Sequence, residues 1–200
     1  SEMCIRDRGE VLVDGVNVKD YDIEALRNKV GIVMQKAVLF KGTIRENMWM
    51  GKKGATDEQI DEALEISQSK EFVDSKQGRL DYVIEQGGKN LSGGQRQRLT
   101  IARAIVRKPD VLILDDSASA LDFATDAALR KAIRGMNNSP TVFIVSQRAA
   151  SLMYADLIIV LDDGQVAGMG THDELLANCE VYKEIYESQF KKADSEGGVA

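Results

Sequence analysis

Cysteine is almost absent: Cys4 and Cys179 are the only two in 200 residues, and they lie far apart. That spacing makes neither a metal-binding pair nor a disulfide framework, and it suits a reducing compartment. Long apolar runs are missing too. The longest, Leu157 to Leu161, is strand-sized and lies between Asp156 and Asp162, well short of the roughly 20 residues that cross a bilayer. Basic residues are in deficit, 26 Lys and Arg against 32 Asp and Glu, for a formal net charge of −6. General nucleic-acid binding needs clustered cations to displace counterions, so this balance argues against it. A transmembrane protein and a secreted disulfide scaffold are excluded for these 200 residues, though not for a longer parent chain. What is present, 44% hydrophobic and 29% charged residues, is ordinary for a globular domain with a real core.

Ser1 to Arg8 (SEMCIRDR) shows neither helical nor strand periodicity. It resembles the translation of a sequencing adapter and is read as a non-native scar, with structure expected from Gly9. Asp14-Gly15 between Glu10–Val13 and Val16–Val18 predicts a hairpin, because such a turn needs positive φ at both central residues. Ile23 to Lys29 reads as a short helix and Val30 to Met34 as a strand ending at Gln35. A more polar, helical stretch follows at about 41–105. Within it Thr56 and Gln59 form a capping box, and a helix runs from Ser92 to about Val106. Strand and helix then alternate: Val111–Leu114, Thr125–Met136, Thr141–Val145, and a hairpin over Leu157–Gly168 turning at Asp163-Gly164. Thr171 and Glu174 make another capping box for a helix to about Phe190, and residues 191–200 read as a flexible polar tail. The expected fold class is α/β with an inserted α-helical subdomain.

Two stretches carry chemistry. Leu91-Ser92-Gly93-Gly94-Gln95 opens a helix. Its small residues permit close backbone approach, and a helix N-terminus offers unpaired N–H groups and a positive dipole end, an anion site suited to phosphate. By themselves these residues equally make a Gly-rich cap. Val111 to Leu114 followed by Asp115-Asp116 is a buried strand ending in two acids, at the sheet edge where α/β folds bind ligands. One acid can hold Mg²⁺ and the next can position an attacking water. Strands also end in Asp for no reason but the turn.

Together with Gln35 and Ser119-Ala120-Leu121-Asp122, these stretches make residues 9–190 resemble the nucleotide-binding domain of ATP-binding-cassette (ABC) transporters. Leu91–Gln95 matches the signature, Val111–Asp116 the Walker B strand, 119–122 the D-loop and Gln35 the Q-loop. Gly42–Asn47, Glu85–Gly88 and Gly170–Leu175 resemble the exporter branch. The resemblance implies a P-loop NTPase-like core, ATP and Mg²⁺ as ligands, and a parent with transmembrane domains upstream, at the cytoplasmic face of the membrane. It implies Asp115 and Gln35 as metal ligands and Gln35, Ser92, Gly93, Gly94, Gln95 and Asp122 as nucleotide-binding residues. Coupling helices of the membrane domain and a second ABC subunit are the implied partners, with no nucleic acid.

Three departures stand out. The Walker A loop, GxxxxGK[ST], does not occur, so the domain reads as truncated, and the isolated fragment is expected to bind ATP weakly or not at all. Asp116 stands where a catalytic Glu is usual. The switch His position reads Gln147, which can hydrogen-bond a γ-phosphate but cannot carry an imidazolium charge. Asp116 and Gln147 together resemble the degenerate-site subunit of a heterodimeric exporter, with an impaired Walker B site and an intact signature. A homodimer that tolerates both substitutions is the alternative. Other classes are a soluble ABC ATPase acting on ribosomes or DNA, and a non-functional remnant.

Three further features are expected to be structural or shared. His172, the lone histidine, reads as a surface residue at a helix start. Arg96, Arg98, Arg103, Arg107 and Lys108 read as a solvated or interdomain helix face. Met48, Trp49 and Met50 read either as local core or as part of the groove that receives a coupling helix.

Overall fold

The computed structural model describes residues 9–117 and 119–196. The scar assigned to residues 1–8, and residues 197–200 of the expected tail, lie outside them. Three parallel strands form the central sheet in the order β3 (Val30–Val33), β6 (Val111–Asp115), β7 (Thr141–Val145). The β-branched and Leu-rich runs of these strands explain the pairing, and their parallel sense puts all three carboxyl ends on one edge. In front lies the short hairpin β1 (Leu12–Val13) and β2 (Val16–Asn17), then helix α1 (Ile23–Lys29). Asp14 and Gly15 take φ of 51° and 77°, as the hairpin turn requires. Lys29 ties this region to the sheet, bonding Asp14 at 2.8 Å and Asp110, just before β6, at 2.9 Å.

Between β3 and β6 come β4 (Gly42–Thr43), α2 (Ile44–Trp49), α3 (Asp57–Ile66), α4 (Lys70–Asp74), β5 (Val83–Ile84) and α5 (Gly93–Ile105). Capping boxes start α2 (Thr43 with Glu46), α3 (Thr56 with Gln59) and α5 (Ser92 with Gln95). The short strands β4 and β5 pair antiparallel. Fully buried Asn47 explains the Gly42–Asn47 motif locally: its side chain bonds both backbone groups of Phe40 and the Thr43 carbonyl. One apolar core joins this helical part to the sheet: Ile60 and Leu64 of α3, Ile101 and Ile105 of α5, and Val33, Leu112 and Leu114 of the strands are all buried in it. Helix α6 (Phe123–Arg134) adds Leu129 and Ile133. The opposite face of the sheet is bare, with Ile32, Phe143 and Val145 exposed.

The chain ends in a short helix α7 (Ala149–Leu152), the hairpin β8 (Ile158–Asp162) and β9 (Gln165–Gly170), and helices α8 (His172–Asn178) and α9 (Glu180–Glu196). A single helix was expected here. Instead Cys179 is extended, at φ −125° and ψ 103°, which turns its side chain onto Gly168 of β9 and into a second small core with Ile158, Val160, Leu175 and Tyr182. Helix α9 continues to Glu196, six residues into the stretch read as tail from Lys191. Among the described residues no helix is long and apolar enough to cross a membrane.

The basic stretch of α5 is spent on backbone carbonyls. Arg96 donates to Leu91, Arg98 to Gln68, Arg103 to Val38 and Arg107 to Gly51 and Arg27, while Lys108 pairs with Glu62. Gly51 shows how close the approach is: a methyl there would overlap the Arg103 carbonyl oxygen and crowd Val106. Gly51→Ala is expected to destabilise the fold by about 1–3 kcal/mol, the usual cost of overpacking. Exposed Gly93, whose added methyl meets only the end of Arg96 at 3.9 Å, is the control, and urea unfolding of both variants checks the difference.

Candidate functional site

Four of the residues singled out in the sequence lie at or just past the carboxyl ends of β3, β6 and β7, on one edge of the central sheet. Asp115 is the last residue of β6, paired with Val145 of β7. Asp116 follows, half-buried, with its N–H donating to the Val145 carbonyl at 2.8 Å. The backbone then turns through φ of 42° at Asp116, a left-handed conformation that Asp tolerates better than most residues. Such backbone strain recurs at functional sites. Ser119 holds the turn, its N–H and hydroxyl both donating to the Asp116 carbonyl. From β3, the exposed Gln35 reaches across and donates from Nε2 to Asp116 Oδ2 at 3.0 Å. Gln147 lies two residues beyond the end of β7, exposed.

Gln35 is thus hydrogen-bonded to Asp116 rather than to Asp115. Two adjoining carboxylates and a side-chain amide are hard oxygen donors, the kind that hold Mg²⁺ together with water and phosphate. The described residues contain no group of three His, Cys, Asp or Glu side chains able to enclose a metal ion. The donor set therefore fits Mg²⁺ only as an open site, completed by water and ligand phosphates.

The signature turn is a second constellation. Ser92 is the N-cap of α5; its Oγ accepts from the Gln95 N–H at 3.2 Å, and Gln95 Oε1 accepts from the Ser92 N–H at 3.1 Å. The Gln95 side chain is therefore used within the turn, while the Ser92 hydroxyl proton stays available to donate. Gly93 and Gly94 supply N–H groups that precede the helical ladder. Gly94 packs on the loop 119–122, where an added Cβ would lie 3.3 Å from the Ala120 carbonyl oxygen. Ala118, in the same loop, lies outside the described residues. Asp122 caps α6: Oδ1 accepts from the Thr125 N–H at 2.9 Å and Oδ2 from its hydroxyl at 2.8 Å. Among the described residues no hydrogen bond or ion pair joins Ser92–Gln95 to the group at the sheet edge.

Two other residues play parts the sequence did not reveal. Arg148 donates to the carbonyls of Ser119 and Leu121, and Gln189 of α9 bonds the backbone around Gln147. Neither has a local signal, because each partner is 27 or more residues away. His172 is half-buried at the start of α8, its Nδ1 2.8 Å from the Tyr182 hydroxyl and its ring against Tyr186. It thus sits at the margin of the second small core, against its member Tyr182.

The family model described as "ABC transporter" matches residues 1–119. YfiB, an uncharacterized ABC transporter ATP-binding protein of Bacillus subtilis, is 44% identical over 190 residues, covering 95% of this chain and 33% of that protein. An uncharacterized ABC transporter ATP-binding protein of Mycobacterium tuberculosis, Rv1273c, is 42% identical over 194 residues, 96% of this chain and 33% of its own length. The chain thus spans about a third of the length of these curated relatives. A solved structure of a bacterial Atm1-family ABC exporter with ATP bound superposes with a TM-score of 0.86 at 32% identity, over 91% of this chain and 32% of that one.

The Asp122 cap gives a titration test. Its carboxyl is held below the usual range by the Thr125 N–H first and the Thr125 hydroxyl next. A depressed pKa contributes stability above the unfolded value of about 3.9 and loses it as pH falls through the folded value. In Thr125→Val the larger cause stays and the hydroxyl goes. The Asp122 midpoint, followed by carboxyl NMR, is expected to rise while staying below the ordinary value; an unmoved midpoint contradicts this assignment.

Proposed function

The chain belongs to the ABC transporter family, and from that premise we propose that it is the larger part of an ATP-driven exporter's motor domain. The observation that carries the reading is the Gln35–Asp116 hydrogen bond at the sheet edge where Asp115 and Gln147 also follow strand ends, with the signature turn in a separate constellation. Two half-sites in one chain suit a head-to-tail pair, in which each nucleotide lies between one subunit's sheet edge and the other's signature. The similarity to an exporter solved with ATP bound supports the exporter reading, and that reading places the chain at the cytoplasmic face of a membrane.

In this reading Asp115 and Gln35 hold Mg²⁺, which supplies charge neutralisation for the transferred phosphoryl group. Asp116 orients the attacking water and accepts its proton on a carboxylate oxygen. Gln147 donates a neutral hydrogen bond toward the γ-phosphate. Ser92, Gly93 and Gly94 present their hydroxyl and N–H groups to the partner's nucleotide, and Gln95 keeps that turn in shape. Asp122 shapes the D-loop from its place as helix cap. GxxxxGK[ST] is absent from these 200 residues, so by themselves they bind ATP weakly.

Asp116 is a poor base here for two reasons. It is one methylene shorter than Glu, and Oδ2 already accepts from Gln35. Misplacement of about 1 Å can cost on the order of 10²-fold. The chain is accordingly the degenerate-site subunit of a heterodimer, slow at its own Walker B and completing the partner's site with its signature. Asp116→Glu combined with Gln147→His, in the reconstituted full assembly, is expected to raise ATP turnover at this site by about 10- to 100-fold. Unchanged turnover in single-site measurements overturns the degenerate assignment.

Membrane coupling has its own residues. Met48 is fully buried core, whereas Trp49 and Met50 are exposed at the end of α2, an adaptable apolar surface for a coupling helix. Trp49 Nε1 also donates to the Ala55 carbonyl. Trp49→Ala is expected to leave ATPase largely intact while substrate transport falls several-fold. Trp49→Phe, which keeps the apolar ring and loses the hydrogen bond, should transport normally. Normal transport in both variants removes Trp49 from the coupling surface.

A further inference from the structure

The segment after β7 is gripped by a side chain from the far end of the chain. Gln189 Nε2 donates to the Gln147 carbonyl oxygen at 2.6 Å, and Gln189 Oε1 accepts from the Ala149 N–H at 2.9 Å. One amide thus engages the backbone on both sides of Arg148, as a neighbouring strand would. Arg148 in turn reaches the D-loop. Its guanidinium donates to the Ser119 carbonyl at 3.0 Å and the Leu121 carbonyl at 3.3 Å, and lies 5.5 Å from the Phe123 ring centroid. Its N–H donates to Ser146 Oγ at 3.0 Å, which tightens the turn. Beyond it, Ala149 is buried, and Ser151 bonds the buried Asp126, itself paired with Arg130 at 2.9 Å.

These bonds form a continuous mechanical line. Helix α9 holds residues 147 and 149; residue 148 holds 119 and 121; and the loop at 119–122 packs on the signature Gly94. Two hydrogen bonds on one planar amide fix orientation as well as distance, so rotation or sliding of α9 must carry Gln147 and Arg148 with it. We propose that Gln189 is a positioning residue for the nucleotide site, through which the C-terminal helix sets the orientation of Gln147 and, by way of Arg148, of the D-loop. This rests on the ATPase reading above and adds to it a route from α9 into both nucleotide sites of the pair.

The test combines amide hydrogen exchange and steady-state ATPase in the complete transporter assembly. Gln189→Ala is expected to speed exchange in peptides spanning 146–152 by about five- to tenfold, the factor that loss of about one net hydrogen bond produces. Its kcat should fall by roughly three- to tenfold with KM for ATP nearly unchanged, since no ground-state contact to the nucleotide is removed. Gln189→Glu separates the two halves. It still accepts from the Ala149 N–H but cannot donate to the Gln147 carbonyl, so it should keep the Ala149 amide protected and yet lose kcat. Unaltered exchange in Gln189→Ala, or unaltered kcat in both variants, overturns the proposal. If Gln189→Ala does not fold, normal kcat in Gln189→Glu overturns it alone. An assembly with no ATPase in its natural sequence overturns the export reading instead, and the exchange measurement then decides the grip of Gln189 by itself.

Discussion

The sheet-edge group depends on β6 lying parallel between β3 and β7. Parallel strands point their carboxyl ends the same way, so loops that follow residues 33, 115 and 145 must emerge at one edge. Register sharpens the constraint. Asp115 faces Val145, and a slip of one residue would turn every side chain of β6 to the other face. The ladder is extended one step past the strand by the Asp116 N–H on Val145, and there the backbone passes into the left-handed region. The sheet's last hydrogen bond and the first irregular residue therefore coincide at the acid that Gln35 touches.

Helix α5 is the other organising element. Its arginines do not face water as a stripe. Arg98 and Arg103 close onto carbonyls of the loop after α3 and the segment after Gln35, and Arg107, just past the helix, onto those of Gly51 after α2 and Arg27 of α1. Arg103 shows the cost: burial lowers its pKa, and its Nη1 finds no partner among the described residues. What it secures is the loop at Val38 and Phe40, whose ring lies 5.8 Å from the guanidinium. The helical insertion and the sheet are thus tied together through α5, and the segment after Gln35 is held by the same helix that begins with the signature.

How much of this could be read in advance varied with the range of the interaction. Asp14-Gly15, the Thr56 and Thr171 caps, and helix α1 follow from residues a few positions apart, and the structure has them where the spacing implied. Asp115 and Asp116 were placed by a strand end plus the rule that α/β sheets bind ligands there, whereas Gln35 and Gln147 were assigned only by the resemblance to the family. The break at Cys179 was not legible, because its cause is a glycine of β9 that accepts a sulfur against its backbone. The basic run at 96–108 was read as a solvated or interdomain face, and its individual partners were not legible, since nothing local says that a guanidinium will find a carbonyl 30 or more residues away. Gln189 is the extreme case: a polar residue in an amphipathic helix, with partners 40 and 42 positions back.

The signature turn has one more consequence. Ser92 and Gln95 satisfy each other's backbone within the turn, so the loop's conformational entropy is surrendered when the helix folds and not when an anion arrives. Binding to such a pre-organised turn keeps the interaction energy that a disordered Gly-Gly loop would lose to ordering. Gln95 acts on the turn through the number of shapes it can adopt, without reaching beyond it.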